Sequence, residues 1–286
     1  MRLRAAFLLA ALALAPPLLA DDPVLVGAGD IADCKTLSGA AKTAALLDQI
    51  PGTVFTLGDN AYESGTPQQF ADCYGPTWGR HKARTRPAVG NHEYKTAFAG
   101  GYFDYFGAAA GDRTKGYYSY DLGAWHIVVL NSNCDQVGGC KSDSPQARWL
   151  RDDLAAHPVR CTAAMWHHPR YSSAEHGDDK ALSDLWQLLY DAGAELVLSG
   201  HDHTYERFAP QDANGSRDLG RGIRQFVAGT GGRYEYKWAR LDANSEVRNN
   251  DTFGVLKLTL HPDSYDWEFV PVEGGSFHDS GTDECH

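Results

Sequence analysis

Five apolar runs in this chain end on an oxygen or imidazole donor, and no other feature constrains the fold as tightly. VLVGAGD closes on Asp30, TVFTLGDN on Asp59, and RPAVGNHE on Asn91 and His92. CTAAMWHHP closes on His167 and His168, and AELVLSGHDH on His201 and His203. Short runs of Val, Leu and Ala bounded by Gly or Pro read as strands with both faces covered. One such ending is ordinary, because Gly-Asp and Gly-Asn form turns readily. Five together exceed turn chemistry, which has no need of histidine. In open α/β sheets, functional side chains gather in the loops beyond the carboxyl ends of strands. Taken alone, the His201-Asp202-His203 pair carries little. With 12 histidines in 286 residues, His-x-His arises by accident about 0.5 times.

Helical patterns separate several of these runs. KTAALLDQI (42–50) has helical spacing, and Ser144 with Pro145 offers an N-cap and first-turn residue for QARWLRDDLAA. KALSDLWQLLYDAG reads as an amphipathic helix stopped by glycine. YYSYDLGAWHIVVLNSN (117–133) divides into two strands at Leu122-Gly123, and RQFVAGTGG is a further strand. GVLKLTLHPDSYDWEFVPV reads as a hairpin turning on Pro262-Asp263-Ser264. Strand–helix–strand alternation predicts an α/β fold with parallel pairing, its sheet mixed or split into two packed sheets.

The first twenty residues, MRLRAAFLLAALALAPPLLA, have the basic start, short apolar core and small-residue end of a secretory signal. They predict a signal peptide over 1–20, a single domain over 21–286, and a secreted or periplasmic location. All six cysteines follow that segment, an even count that points to disulfides. Cys134 and Cys140 flank DQVGG and are expected to close a short loop. The pairing of the other four, as Cys34–Cys73 and Cys161–Cys285, stays open at this level. The balance is acidic, with 26 Lys and Arg against 37 Asp and Glu and a net charge of −11. That argues against nucleic acid, or an anionic membrane surface after signal cleavage, as the main partner. A small phosphoester remains possible, because bound cations reverse the local potential. Nothing in the sequence speaks to oligomeric state.

Asp, Asn, Tyr and His together suit metal sites with mixed oxygen and nitrogen ligands. Two cations sharing a carboxylate need about this inventory, and such pairs bind phosphoryl oxygens and acidify a bridging water for in-line attack. His201 and His203 would point the same way if their segment stays extended.

Read in order, GD (29–30), GDNAY (58–62), GNHE (90–93), WHHPRY (166–171) and GHDHTYER (200–207) resemble the ordered motifs of the calcineurin-like metallophosphoesterases. The sub-pattern is similar to that of the purple acid phosphatases. The resemblance implies a four-layer αββα sandwich, two mixed β-sheets flanked by helices, with a dinuclear centre at the strand ends. It assigns Asp30, Asp59, Tyr62 and His203 to metal site one. It assigns Asp59, Asn91, His167 and His201 to site two, so that Asp59 bridges. Most members of the wider family carry histidine two residues after the first Asp. Here Ala32 stands there, and Tyr62 takes the place that a tyrosine holds in the purple subgroup. A phenol with a pKa near 10 is a poor ligand for a divalent ion at neutral pH. Tyr62 therefore predicts Fe³⁺ in site one, with divalent Fe, Zn or Mn in site two.

The same resemblance puts His92, with Asn91, on the substrate phosphate, and His176 of AEHG beside the leaving group as proton donor. Glu93 is expected to buttress a ligand histidine. His168, between a ligand position and Pro169, could line the pocket but is assigned no role. The aromatic residues of GRYEYKW could rim a substrate pocket or cover the core, the second being the favoured reading. The implied activity is hydrolysis of phosphate monoesters. The alternatives are a phosphodiesterase or nucleotidase with the same site and, in another class, a secreted metal- or phosphate-binding protein without turnover.

Overall fold

The computed structural model describes residues 22–286; the expected signal segment lies outside the described residues. The apolar runs form strands whose residues are almost all buried, as in Val24–Ala28, Thr53–Leu57, Trp125–Val129, Cys161–Met165 and Leu196–Ser199. Continuous apolar sequence is what a strand needs when both of its faces are covered.

The described residues form two large sheets. The first has six strands in the order Ser280–Glu284, Ser264–Pro271, Gly254–Leu260, Val24–Ala28, Thr53–Leu57 and Thr85–Ala88. Its last three strands are parallel, and the hairpin and its edge strand add to them antiparallel. The second has seven, in the order Ser245–Asn249, Tyr205–Phe208, Arg224–Ala228, Leu196–Ser199, Cys161–Met165, Trp125–Val129 and Tyr118–Leu122. Its four inner strands from Arg224–Ala228 to Trp125–Val129 run parallel.

Leu25, Phe55, Leu57 and Leu256 of one sheet share a buried cluster with Ile127, Val129, Leu198 and Phe226 of the other, so the sheets pack face to face. The helix Ser38–Gln49 covers the outer face of the first sheet through Ala40, Ala44 and Leu47. Pro145–Ala156 and Ser183–Asp191 cover the second through Leu150, Leu185 and Leu189. The result is the expected αββα sandwich.

The local signals hold where they were strongest. The Ala147 N–H donates to the Ser144 hydroxyl at 3.1 Å, and Pro145 opens that helix. The 42–50 helix begins earlier, at Ser38, and Gly39 in its first turn packs against the backbone of Gly232 with no room for a Cβ. Three strands of the two large sheets escape the sequence reading: Tyr205–Phe208, Ser245–Asn249 and Ser280–Glu284. The last two alternate intermediate and exposed positions and lie at sheet edges, so they carry no apolar run. The cysteines pair as Cys34–Cys73, Cys134–Cys140 and Cys161–Cys285. Among the described residues, no helix is long and apolar enough to cross a membrane.

Candidate metal centre

The carboxyl ends of parallel strands from both sheets meet at one edge of the sandwich. Asp30 follows Val24–Ala28, Asp59 follows Thr53–Leu57, and Asn91 follows Thr85–Ala88. His167 follows Cys161–Met165, and His201 follows Leu196–Ser199. Three of these residues sit in the left-handed region: Asp30 at φ 61°, Asp59 at 49° and His201 at 69°. Non-glycine residues adopt that region at an energetic cost and persist there when the surroundings hold them, often at functional sites. The motif glycines make this crowding possible. A Cβ on Gly58 would stand 2.6 Å from His167 Nδ1, and one on Gly200 would stand 2.7 Å from Asp30 Oδ2.

Two groups of donors converge. In the first, Tyr62 Oη is 2.7 Å from Asp30 Oδ1 and 3.1 Å from His203 Nε2, and His203 Nε2 is 3.3 Å from Asp30 Oδ1. In the second, His167 Nε2 is 2.8 Å from Asn91 Oδ1, 3.1 Å from His201 Nδ1 and 3.4 Å from Asp59 Oδ1. Asp30, Asp59 and His167 also offer ligand atoms that all lie within 4.8 Å of one another, which links the two groups. Donors bound about 2.1 Å from one ion lie roughly 3.0–3.4 Å apart at its coordination edges. These separations, and a set of carboxylate, amide, phenol and imidazole, fit metal ions of borderline-to-hard character. The structure thus brings these seven side chains together at one edge of the sandwich.

The imidazoles are oriented from behind. His167 Nδ1 is 2.7 Å from the Leu57 carbonyl and His203 Nδ1 is 2.7 Å from the Tyr234 carbonyl, so each donates there and presents Nε2 forward. This is the usual support of a ligating histidine. His201 and His203 do not point the same way along a strand. The left-handed turn at His201 replaces the extended segment, and it sends the two rings to different donor groups.

Glu93 corrects one expectation. Its carboxylate buttresses no histidine by hydrogen bond; it accepts from the backbone N–H of Asp59, Asn60, Ala61 and Gly90 at 2.8–3.3 Å. It shapes the loop that carries Asp59. Burial, then the nearby charge of Asp59, pushes its carboxyl up to about 7 against those N–H dipoles.

The charges in the centre are strongly perturbed. Burial raises Tyr62 well above an ordinary phenol, and the charges of Asp30 and Asp59 add to the effect. For Asp59, burial acts upward, but the attraction of His167 and His92 outweighs it and holds the carboxyl below its usual range. Burial lowers His167, and Asp59 overcomes this and raises it to about 9. His201 lies well below its ordinary value through burial and the neighbouring His167.

His92 stands at the mouth of the centre. Its N–H donates to Asp59 Oδ1 at 2.9 Å, its ring lies edge-on to Tyr62, and Lys95 Nζ is 3.0 Å from its Nδ1. The exposed His176 ring stacks on His201 at 4.2 Å between centroids. Several neighbours had no role assigned from the sequence. His168 faces the centre, with Nδ1 2.8 Å from Ser132 Oγ, and burial lowers it to about 3. Tyr236 stacks on His203 at 3.9 Å, and Tyr234 is 55% exposed, so GRYEYKW rims the site instead of covering the core. The clue available was the glycine pair Gly231-Gly232 just before it, which lets the chain pass close to Gly29 and Gly39. Arg233 lies over the Tyr62 ring at 4.5 Å and pairs with Asp33 and Glu63.

The calcineurin-like phosphoesterase family model matches residues 23–205. Purple acid phosphatase 21 of Arabidopsis thaliana is 33% identical over 165 residues, 49% of this chain and 37% of that protein. Acid phosphatase type 7 of Homo sapiens is 31% identical over 171 residues, 50% of this chain and 39% of that protein. The chain therefore spans well under half the length of these curated relatives. Among solved structures, the yellow lupin purple acid phosphatase PPD1 matches with a TM-score of 0.74 at 20% identity, over 92% of this chain and 54% of that one. GAP50, the anchor in the inner membrane complex of Plasmodium, matches with a TM-score of 0.72 at 13% identity, over 93% of this chain and 90% of that one. Both likenesses bear on the fold.

Proposed function

The chain belongs to the calcineurin-like phosphoesterase family, and on that premise we propose that it is a secreted, metal-dependent phosphatase of the purple acid phosphatase type, acting on phosphate monoesters. The observation that carries this reading is the pair of donor groups linked through Asp59. Asp30, Tyr62 and His203 would hold one ion, Asn91, His167 and His201 the other, and Asp59 both. Such a pair supplies Lewis acidity toward phosphoryl oxygens and a nucleophile from water near neutral pH.

The chain's own groups do the rest. His92, beside Lys95 at the mouth, binds a phosphoryl oxygen and stabilises charge that grows on it in the transition state. His176, exposed and stacked on His201, gives its proton to the departing alkoxide oxygen. Tyr62, held as a neutral phenol by burial, favours a trivalent ion in its group, because only a hard ion of high charge displaces that proton readily. Three disulfides and the signal-like first twenty residues support export to an oxidising compartment. We read 21–286 as one catalytic domain.

Metal analysis with a visible spectrum, followed by an ester panel, tests the reading. We expect two ions per chain and faster turnover of p-nitrophenyl phosphate than of its bis ester. Preference for the bis ester or for nucleotides would make the protein a phosphodiesterase or nucleotidase. No turnover by the fully metallated protein from pH 4 to 9 would make it a binding protein.

A further inference from the structure

Asp202 stands between His201 and His203, yet its carboxylate hydrogen-bonds to neither donor group. It is completely buried. A buried carboxylate is tolerated only when hydrogen bonds or opposite charges replace its lost water. Among the described residues, every hydrogen bond this carboxylate accepts comes from one loop. Ser172 Oγ donates to Oδ2 at 2.5 Å, the His176 N–H to Oδ1 at 3.0 Å, and the Gly177 N–H to Oδ2 at 3.3 Å.

The same loop is gripped a second time from the same sequence motif. Glu206 is also completely buried, and it accepts the Ser173 N–H at 2.9 Å and the Ser173 hydroxyl at 2.5 Å. Ser172, Ser173, Ala174 and Gly177 are buried, while His176 alone with Glu175 reaches solvent. The ring of His176 then returns to His201, the residue next to Asp202. Peptide, carboxylate, loop and stacked rings close a circuit. The carboxylate fixes the backbone of His176 at its own N–H, and the imidazole leans on a residue of the donor group.

We propose that Asp202 is a positioning residue for His176, with Glu206 and Ser172 supporting the same loop, so that the strand end that presents His201 also sets the place of the proton donor. This rests on the general-acid reading of His176 given above. It gives the spacer of GHDHTYER a task that the metal-ligand pattern does not supply. It also makes the loop a rigid platform rather than a lid.

The consequence is selective. Proton donation matters most when the leaving group is a poor one, so loss of His176 placement should cost ethyl phosphate more than p-nitrophenyl phosphate. General acid catalysis is worth about 10²-fold or more. We expect His176→Ala to lower kcat on ethyl phosphate about a hundredfold, with a much smaller loss on the nitrophenyl ester. Asp202→Asn should follow the same pattern with about a tenfold loss on ethyl phosphate, since an amide keeps part of the hydrogen bonding. The double variant should be no worse on ethyl phosphate than His176→Ala alone, because both act through one group. Metal content should stay at the wild-type value. In metal-free protein, hydrogen exchange at the 172–177 backbone should speed up in Asp202→Asn. Ser172→Ala, which leaves the carboxylate in place, should give the same pattern more weakly if Asp202→Asn fails to fold.

Equal losses on both esters, loss of metal, full additivity with His176→Ala, or unchanged exchange in the loop would each overturn the assignment. If His176→Ala discriminates between the esters and the Asp202 and Ser172 variants do not, this inference alone fails. If His176→Ala does not discriminate, the general-acid reading fails and the inference falls with it.

Discussion

The Tyr62 hydroxyl donates to Asp30 Oδ1 at 2.7 Å across 32 residues of sequence, and both side chains are buried. The phenol is neutral in this environment, since burial and the adjacent carboxylates raise it well above its ordinary value. Protein loaded with ferric iron should therefore gain a visible phenolate-to-iron absorption band as the phenol proton is displaced. Tyr62→Phe should lose the band while keeping His203 and Asp30. A colourless iron-loaded wild type, or an intact band in the variant, would remove Tyr62 from the ligand set.

Glu93 should prove more important for the loop than its distance from the donor atoms suggests. Four backbone N–H groups converge on its carboxylate. An amide at that place turns two donors toward donors. Glu93→Gln should destabilise the fold by about 2–3 kcal/mol. At roughly 2–4 °C per kcal/mol for a chain of this size, the drop in Tm is readily measured by calorimetry. An unchanged Tm would mean that the loop holds its shape without the cradle.

The disulfides should differ in value. Cys161–Cys285 spans 124 positions and Cys134–Cys140 only 6. Loop-closure entropy makes the first worth about 5 kcal/mol and the second about 2 kcal/mol. Denaturant titration of the two double Cys→Ser variants should show that order. A larger loss from the short loop would point to packing in the native state as the dominant effect.

Glu195 should make stability fall with pH. It is 3% exposed, and burial raises its carboxyl to about 8 from an unfolded value of 4.5, with Asp283 adding while the His286 N–H and Arg160 oppose. The folded chain thus keeps a proton that the unfolded chain has already lost across that window. Stability is highest below about 4.5 on this account and is lost as pH rises toward 8. Glu195→Gln removes the titration and keeps an acceptor for the His286 N–H, now 3.0 Å from Oε1. Wild type should lose about 4 kcal/mol relative to the variant between about pH 5 and pH 9, at about 1.4 kcal/mol per pKa unit over the shift from 4.5 to about 8. Parallel pH profiles for the two proteins would show that Glu195 ionises freely.

The sequence by itself determined most of the buried strands, the donors at their ends and the α/β class. These signals are local: buried strands need apolar runs, tight strand-to-loop turns need glycine, and helix starts need a cap such as Ser144. It also carried the seven convergent donors, because each sits at a fixed offset from its own strand. The grouping of those donors came from the resemblance of the ordered motifs; the tertiary structure decided the contacts each side chain makes. Tyr62 reaches His203 across 141 positions, and Asp202 reaches Ser172 across 30. It turned His201 away from His203 through a left-handed residue, gave Glu93 to backbone amides instead of a histidine, and laid Tyr236 on His203. Apart from the Gly231-Gly232 pair ahead of Tyr236, these have no periodic or compositional trace, because each depends on two separate segments being packed into one place. A polar residue shows its chemistry in sequence; its partner is chosen only when burial brings the segments together.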